Sequence, residues 1–396
     1  MARDTKERIL RETLLAFSSL RFEDISLAAI AKRVGISKTA IFRHFKNKQE
    51  LFDTLDARVL EQVEVLRNQL VSIDRPSLSE AGYRSRLFEV LALFFSEKPE
   101  LLPYLLQKAF APQPSLVTNT LLEAFEARNV RSIQDRFDIS TMCFFLMQMV
   151  SDYPGDAVTI HQYAEAVSQL IECGFACFDE LSDGRMKELD ELTAVSDQET
   201  TQDRFFIALE RVLGKYGPFG ISVERVAEEL GLANSSMYAT YESKEMMIRQ
   251  TVIKEFLNFV KVLIQRLPFA RSLSEAIYII LSTASSYCSQ SIPLSDCIIC
   301  WICLNGKLDC NSDDFERFDF YPHQNVELEI LYEQFQGYCE GKAVNPNLIS
   351  RWIMFLPFNH FFMQRLCPES CLSDYSDKIL YRLIQRGVEG VRRMDS

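Results

Sequence analysis

An all-α fold is predicted by three features of this sequence. Apolar residues recur three and four apart, as in Leu10, Leu14 and Phe17 or Leu87, Leu91, Phe94 and Phe95, the spacing that gathers them on one helix face. Only 14 Gly and 13 Pro interrupt 396 residues, which favours helices joined by short polar turns. Runs that alternate apolar and polar residues, as a half-buried strand requires, are scarce.

Composition limits the possible classes. With 47% hydrophobic and 25% charged residues, the chain has material for about two to three globular domains. Its longest apolar runs, "CIICWICL" (297–304) and "IMFLPF" (353–358), are far shorter than the ~20 residues of a membrane helix. Arg3, Asp4, Lys6 and Glu7 stand where a signal peptide would be apolar, so a cytoplasmic protein without membrane association is expected. The 11 cysteines read accordingly as reduced thiols.

The first elements form a recognisable series. Residues 4–20 have the pattern of an amphipathic helix, Ser26 can cap a second over 27–33, and Gly35 supplies the turn before Ser37 caps a third. Ile25, Ile30, Val34, Ile41 and Phe45 would form the small core that holds the last two helices at a fixed angle. Helix, tight turn, helix is a DNA-binding arrangement, in which the second helix of the pair enters the major groove and its surroundings grip phosphates. The charge agrees: in a chain of formal net charge −12, "GISKTAIFRHFKNKQEL" (35–51) holds Lys38, Arg43, His44, Lys46 and Lys48 against one carboxylate, Glu50.

The series recurs. "ISLAAIAKRVGISKTAIFRHFKNKQEL" (25–51) aligns without gaps to "ISVERVAEELGLANSSMYATYESKEMM" (221–247), 196 residues on. Arg8 falls on Arg204, and "SLSEA" at 77–81 returns at 272–276. The chain therefore reads as two copies of about 198 residues joined by 181–199, where Asp183, Glu188, Asp190, Glu191, Asp197 and Glu199 outnumber Arg185 and Lys187. This stretch reads as a solvated linker, helical in part.

Gly35, Ser37, Ile41, Phe42, His44, Phe45, Lys48 and Leu51, preceded by Ser26, Ile30 and Ala31, resemble the third-helix pattern of the TetR family of bacterial transcriptional regulators. Ser222, Val226, Ala227, Gly231, Met237, Tyr238, Tyr241 and Lys244 match it more loosely. The resemblance implies two tandem TetR-like units, each with a three-helix DNA-binding head and a helical regulatory part that binds a small molecule and dimerises through its last two helices. The expected boundaries are a first head at 1–56, its regulatory part at 57–180, the acidic linker at 181–199, a second head at 200–252 and its regulatory part at 253–396.

The resemblance also implies roles. Lys38, Thr39 and Arg43 would face bases, with Ser37 at the helix start, while Ser26, His44, Lys46 and Lys48 would lie along phosphates. In the second copy Asn234, Ser235 and Ser236 would read bases, and Ser222, Tyr238, Thr240 and Lys244 would hold phosphates more weakly. Ala233 replaces the capping Ser37, so the third helix is expected to start one residue later, at Asn234. Over 28–50 the first copy has Lys32, Arg33, Lys38, Arg43, Lys46 and Lys48 against Glu50; over 224–246 the second has Arg225 and Lys244 against Glu224, Glu228, Glu229, Glu242 and Glu245. An acidic head should bind DNA weakly by itself.

Other chemistry is poorly supported. Cys297, Cys300, Cys303 and Cys310 miss the ferredoxin spacing and read as small hydrophobes of a buried helix, and His323 and His360 read as core residues. No P-loop, dinucleotide fingerprint, G-x-S-x-G or H-E-x-x-H occurs, so neither an enzyme nor a metal or cofactor site is expected. The expected function is a DNA-binding transcriptional regulator, a repressor responding to an unidentified small-molecule effector, acting as a single-chain pseudo-dimer or a homodimer on double-stranded DNA. The alternatives are a DNA-tethered protein whose second head binds a protein partner, and a thiol or metal sensor using the carboxy-terminal cysteines.

Overall fold

The computed structural model describes residues 2–16, 25–109, 133–152, 157–175, 179–196, 198–200, 203–216, 221–241, 243–290, 346–366 and 377–392, with 116, 120, 333, 335–337 and 339–341. Regular structure among them is helical throughout. The first half contains α1 (Ala2–Ala16), α2 (Leu27–Val34), α3 (Lys38–Ile41), α4 (Lys48–Val71), α5 (Glu80–Glu97), α6 (Leu101–Ala109), α7 (Ile133–Asp152) and α8 (Ala157–Cys173). Then come α9 (Asp183–Thr193), α10 (Arg204–Tyr216), α11 (Val223–Leu230), α12 (Asn234–Thr240), α13 (Lys244–Arg266), α14 (Leu273–Gln290), α15 (Pro346–Leu366) and α16 (Asp377–Arg392). From α10 to α14 the helix order repeats that of α1 to α5.

Local chemistry sets the helix ends. Ser26, Ser37, Ser79, Ser182, Ser222 and Ser243 each accept a hydrogen bond from the amide three residues on, satisfying one of the donors that a helix start leaves open. At α4 the box is reciprocal: Glu50 N–H donates to Asn47 Oδ1, and Lys46 N–H donates to Glu50 Oε2.

The two halves meet in a four-helix arrangement built from the last two helices of each. α7 packs on α15 and α8 on α16. Trp352 of α15, fully buried, reaches into the first half, its ring 5.9 Å from Phe137 and 5.8 Å from Phe145, and its indole N–H donates to Thr141 Oγ1 at 3.2 Å. Where α8 ends and α16 breaks, two backbones touch. Gly174 and Gly387 are both left-handed in φ; a Cβ on Gly174 would lie 2.5 Å from Gly387 N, and Phe175 N–H donates to Ile384 O at 2.8 Å. The "SQLIECG" and "YRLIQRG" segments therefore pair within one chain. On the other side of α8, Arg84 of α5 is buried between Asp138 of α7 (2.8 Å) and Glu172 of α8 (2.7 Å), an ion triad that fixes three helices together.

The expectation of a solvated linker needs correcting. Residues 183–193 are a helix, and Met186, Leu189 and Thr193 bury one of its faces against α14. Polar contacts run along the same groove: Arg185 donates to both oxygens of Glu275 (2.8 and 2.9 Å), Tyr278 donates to Asp190 (2.7 Å), Thr193 and Ser282 share a hydrogen bond, and Val195 N–H reaches Ser286 Oγ (2.8 Å). Arg185 and Asp190 thus find partners in the second half, about 90 residues away in sequence, which no local pattern announces.

The groove holds a titratable group. Asp377, at the start of α16, accepts from Ser285 and lies near Asp190 of α9 and Cys288 and Tyr278 of α14. Burial, with Asp190 adding to it, pushes its carboxyl from 3.8 up to about 6. A carboxylate raised in this way costs stability when ionised: the cost is absent at low pH and grows as pH rises from about 4 to about 6. Asp377→Asn should therefore stabilise the protein by about 2–3 kcal/mol at pH 7 and change little near pH 4. Urea unfolding at the two pH values checks both arms.

Candidate nucleic-acid interface

The first head is built as its residue types require. Ser26, in extended conformation, starts α2, and Gly35, at φ 74° and ψ 34°, ends it while donating its N–H to the carbonyls of Ala31 and Lys32. Ser37 then opens α3 by accepting from Ala40 N–H at 3.1 Å. Ile25, Ile30, Val34, Ile41 and Phe45 are all buried and form the small core expected of them. α3 is a single turn, and His44 already lies in the turn that follows it.

This geometry spreads the polar residues over one surface. Ser26, Ser37, Lys38, Thr39, Arg43 and Lys46 are exposed; His44 and Lys48 are half-buried, and the Lys48 ammonium lies 5.5 Å from the centre of the Phe52 ring. Nearby cations are engaged, Arg33 with Glu12 at 3.4 Å and Arg58 with Glu7 at 2.5 Å. Among the described residues no such ion pair holds Lys38, Arg43 or Lys46, which leaves their charge directed to solvent. Phe42 is exposed beside them and carries no hydroxyl.

One residue needed for this geometry carried no assigned role in the sequence. Arg8 of α1 donates to Val34 O at 2.7 Å, taking up a carbonyl at the end of α2 and locking the first helix to the turn. Arg204 of α10 does the same at 3.1 Å to Leu230 O. The recurrence of this arginine 196 residues on was the available signal.

The corresponding helices of the second half follow the same cap and turn with a longer third helix, Asn234–Thr240, and a different surface. Ser222 starts α11, Gly231 (φ 67°, ψ 31°) ends it, and Ile221, Val226, Met237 and Tyr241 are buried where Ile25, Ile30, Ile41 and Phe45 are in the first. Asn234, Ser235, Ser236, Tyr238 and Thr240 are exposed, and Lys244 and Ser222 half-buried. Two of the hydroxyls are committed: Tyr238 donates to Glu224 Oε1 at 3.2 Å, which pushes the phenol's pKa up, and Thr240 donates to Ser236 O at 3.2 Å. Glu224, Glu228 and Glu229 occupy the exposed positions held by Ala28, Lys32 and Arg33 in the first head. α12 begins at Asn234, the residue expected, but this is the register of Lys38 and so no later than in the first head; Ala233 stays at the cap position and makes no side-chain bond to the helix.

The remaining chemistry adds no competing site among the described residues. No group of three or more His, Cys, Asp or Glu there is suited to a metal ion, and no helix there is long and apolar enough to cross a membrane. Cys143, Cys173, Cys288 and Cys339 are free thiols. Cys297, Cys300, Cys303, Cys310 and His323 lie outside the described residues, as does the side chain of His360.

Residues 9–55 match the family described as bacterial regulatory proteins, tetR family. The chain is also similar to proteins named nucleoid occlusion factor SlmA from Salmonella paratyphi B, Salmonella newport and Salmonella heidelberg, at 34% identity over 97 residues in each case. That match covers 24% of this chain and 47% of each relative, so the chain spans about half the length of the curated relatives it matches. The family match supports a DNA-binding regulator through the first head. The family match covers residues 9–55, the first helix-turn-helix; α10 to α12 lie outside it.

The caps make a paired test. Ser37→Ala should cost roughly 0.5–2 kcal/mol, and Ala233→Ser, which gives α12 the cap that α3 has, should stabilise by a similar or smaller amount. Thermal unfolding of the two variants beside the parent reads both signs.

Proposed function

We propose that this chain is a DNA-binding transcriptional regulator in which two TetR-like units are joined, the first head supplying most of the grip on DNA. The observation that carries the reading is the unspent basic surface of Lys38, Arg43 and Lys46 on a helix-turn-helix whose caps and core are complete. Lys38 and Thr39 stand exposed at the start of the reading helix and Arg43 in the turn that follows it, where Lys and Arg address guanine and Thr a thymine methyl. Ser26, His44 and Lys48 flank it as phosphate contacts.

The pairing of α7 and α8 with α15 and α16 supports a single-chain pseudo-dimer, because the helices through which the family likeness implies dimerisation are paired inside one chain. A small-molecule effector belongs to the same reading: by biasing the helical parts it would shift the two heads away from a spacing of about one helical turn, ~34–36 Å, and release the operator. The acidic surface of the second head favours a further reading, in which that head meets a protein partner while the first holds DNA.

Binding measurements on duplexes selected from a random library test the roles. Lys48→Ala should weaken all sequences alike and lower the salt slope by about one, whereas Lys38→Ala and Arg43→Ala should each cost about 1–3 kcal/mol at particular base pairs. Equal small losses from all three would remove the assignment. Light scattering of the free protein should return the mass of one chain, and footprints should show one well-defined half-site with a tolerant second half about one turn away.

A further inference from the structure

We infer that Glu224 stands in for a DNA phosphate at the second head and weakens that head's hold on the duplex. The inference rests on the proposed reading of both heads as helix-turn-helix units. Each head starts its first reading-pair helix with a serine cap, Ser26 or Ser222, and the residue two positions on lies at the helix start, where open backbone amides and the helix dipole attract anions. In the first head that residue is Ala28, and the site is open to a phosphate. In the second it is Glu224, an exposed carboxylate already in place.

The neighbouring hydroxyl points the same way. Tyr238 sits 196 residues after Phe42, on the exposed side of the reading helix. A phenol there is a natural donor to a phosphate oxygen that rests on the helix start. Its hydroxyl instead donates to Glu224 Oε1 at 3.2 Å, so the chain's own anion takes the hydrogen bond that DNA would use. Glu229 is paired with Arg211 at 3.1 Å and lies at the far end of α11; Glu224 is the acid that shares a donor with the phosphate position. A phosphate approaching the second head would have to displace a carboxylate from its donor and come to rest beside that negative charge.

Three full-length variants test this on a duplex selected by the parent chain, read by footprinting and by the salt dependence of binding. Glu224→Ala installs the residue of the first head. Glu224→Gln keeps an acceptor for Tyr238 and removes only the charge. Both should strengthen protection of the tolerant second half, about one helical turn from the first, and steepen the slope of log K against log salt by about one. Adding Tyr238→Phe to Glu224→Ala should take back part of the gain, because the phenol is then the phosphate donor. Protection of the first half alone by parent and variants, with equal slopes and equal melting temperatures, overturns the inference and leaves the first head's role standing. A gain from Ala without one from Gln overturns the assignment to charge. A parent chain that protects no duplex overturns the inference together with the reading on which it rests.

Discussion

The close approach of Gly174 and Gly387 is the contact on which the rest of the molecule depends. Only residues without a Cβ allow α8 and α16 to meet backbone to backbone, and Gly387, at φ 66° and ψ −176°, also occupies a conformation that other residues avoid. From that crossing the other inter-half contacts follow. Phe175, just beyond Gly174, lies 6.2 Å from the Trp352 ring, and Tyr381, one and a half turns before Gly387, donates to Asp179 O at 3.0 Å. The Arg84 triad holds α5, α7 and α8 as one body behind this seam, so displacement at the glycines is passed on to α5 and, through the α5 to α4 packing, to the base of the first head.

The two heads separate what a backbone needs from what a surface does. The Ser26 cap, the left-handed Gly35, the α1-type arginine and the buried apolar positions recur 196 residues on, while exposed Lys32 and Arg33 give way to Glu228 and Glu229 and Lys38 and Arg43 to uncharged residues. Buried positions answer to packing, where a single lost methyl group is felt. Exposed ones answer to the partner, and surface substitutions away from special features cost little stability. One scaffold can therefore carry surfaces of opposite charge.

This separation also explains what the sequence made legible. Ser26, Gly35 and Ser37 announce their roles within a few residues, because caps and turns are local chemistry, and Ile25 through Phe45 announce the head's core by their spacing. The pairing of the terminal helices could be expected from the family resemblance, which implies dimerisation through the last two helices of each unit. The linker could not. Met186, Leu189 and Thr193 are too sparse a stripe to stand out among carboxylates, and the partners that dock this helix, Glu275 for Arg185 and Tyr278 for Asp190, lie about 90 residues off. Arg84 was hidden for the same cause: nothing beside it foretells Asp138 or Glu172. The Tyr238 hydrogen bond to Glu224 spans only 14 residues, but it needed the angle between two helices before it had a meaning.

The docked helix α9 has a consequence for gene dosage. A regulator assembled from two separate chains is populated as the square of protomer concentration when it is scarce, so small fluctuations in expression are amplified. Here the connector is fastened along α14, and the second half is held beside the first from the moment of synthesis. On the proposed single-chain reading, the amount of assembled protein follows the amount of chain in direct proportion, and the two surfaces are delivered in a one-to-one ratio.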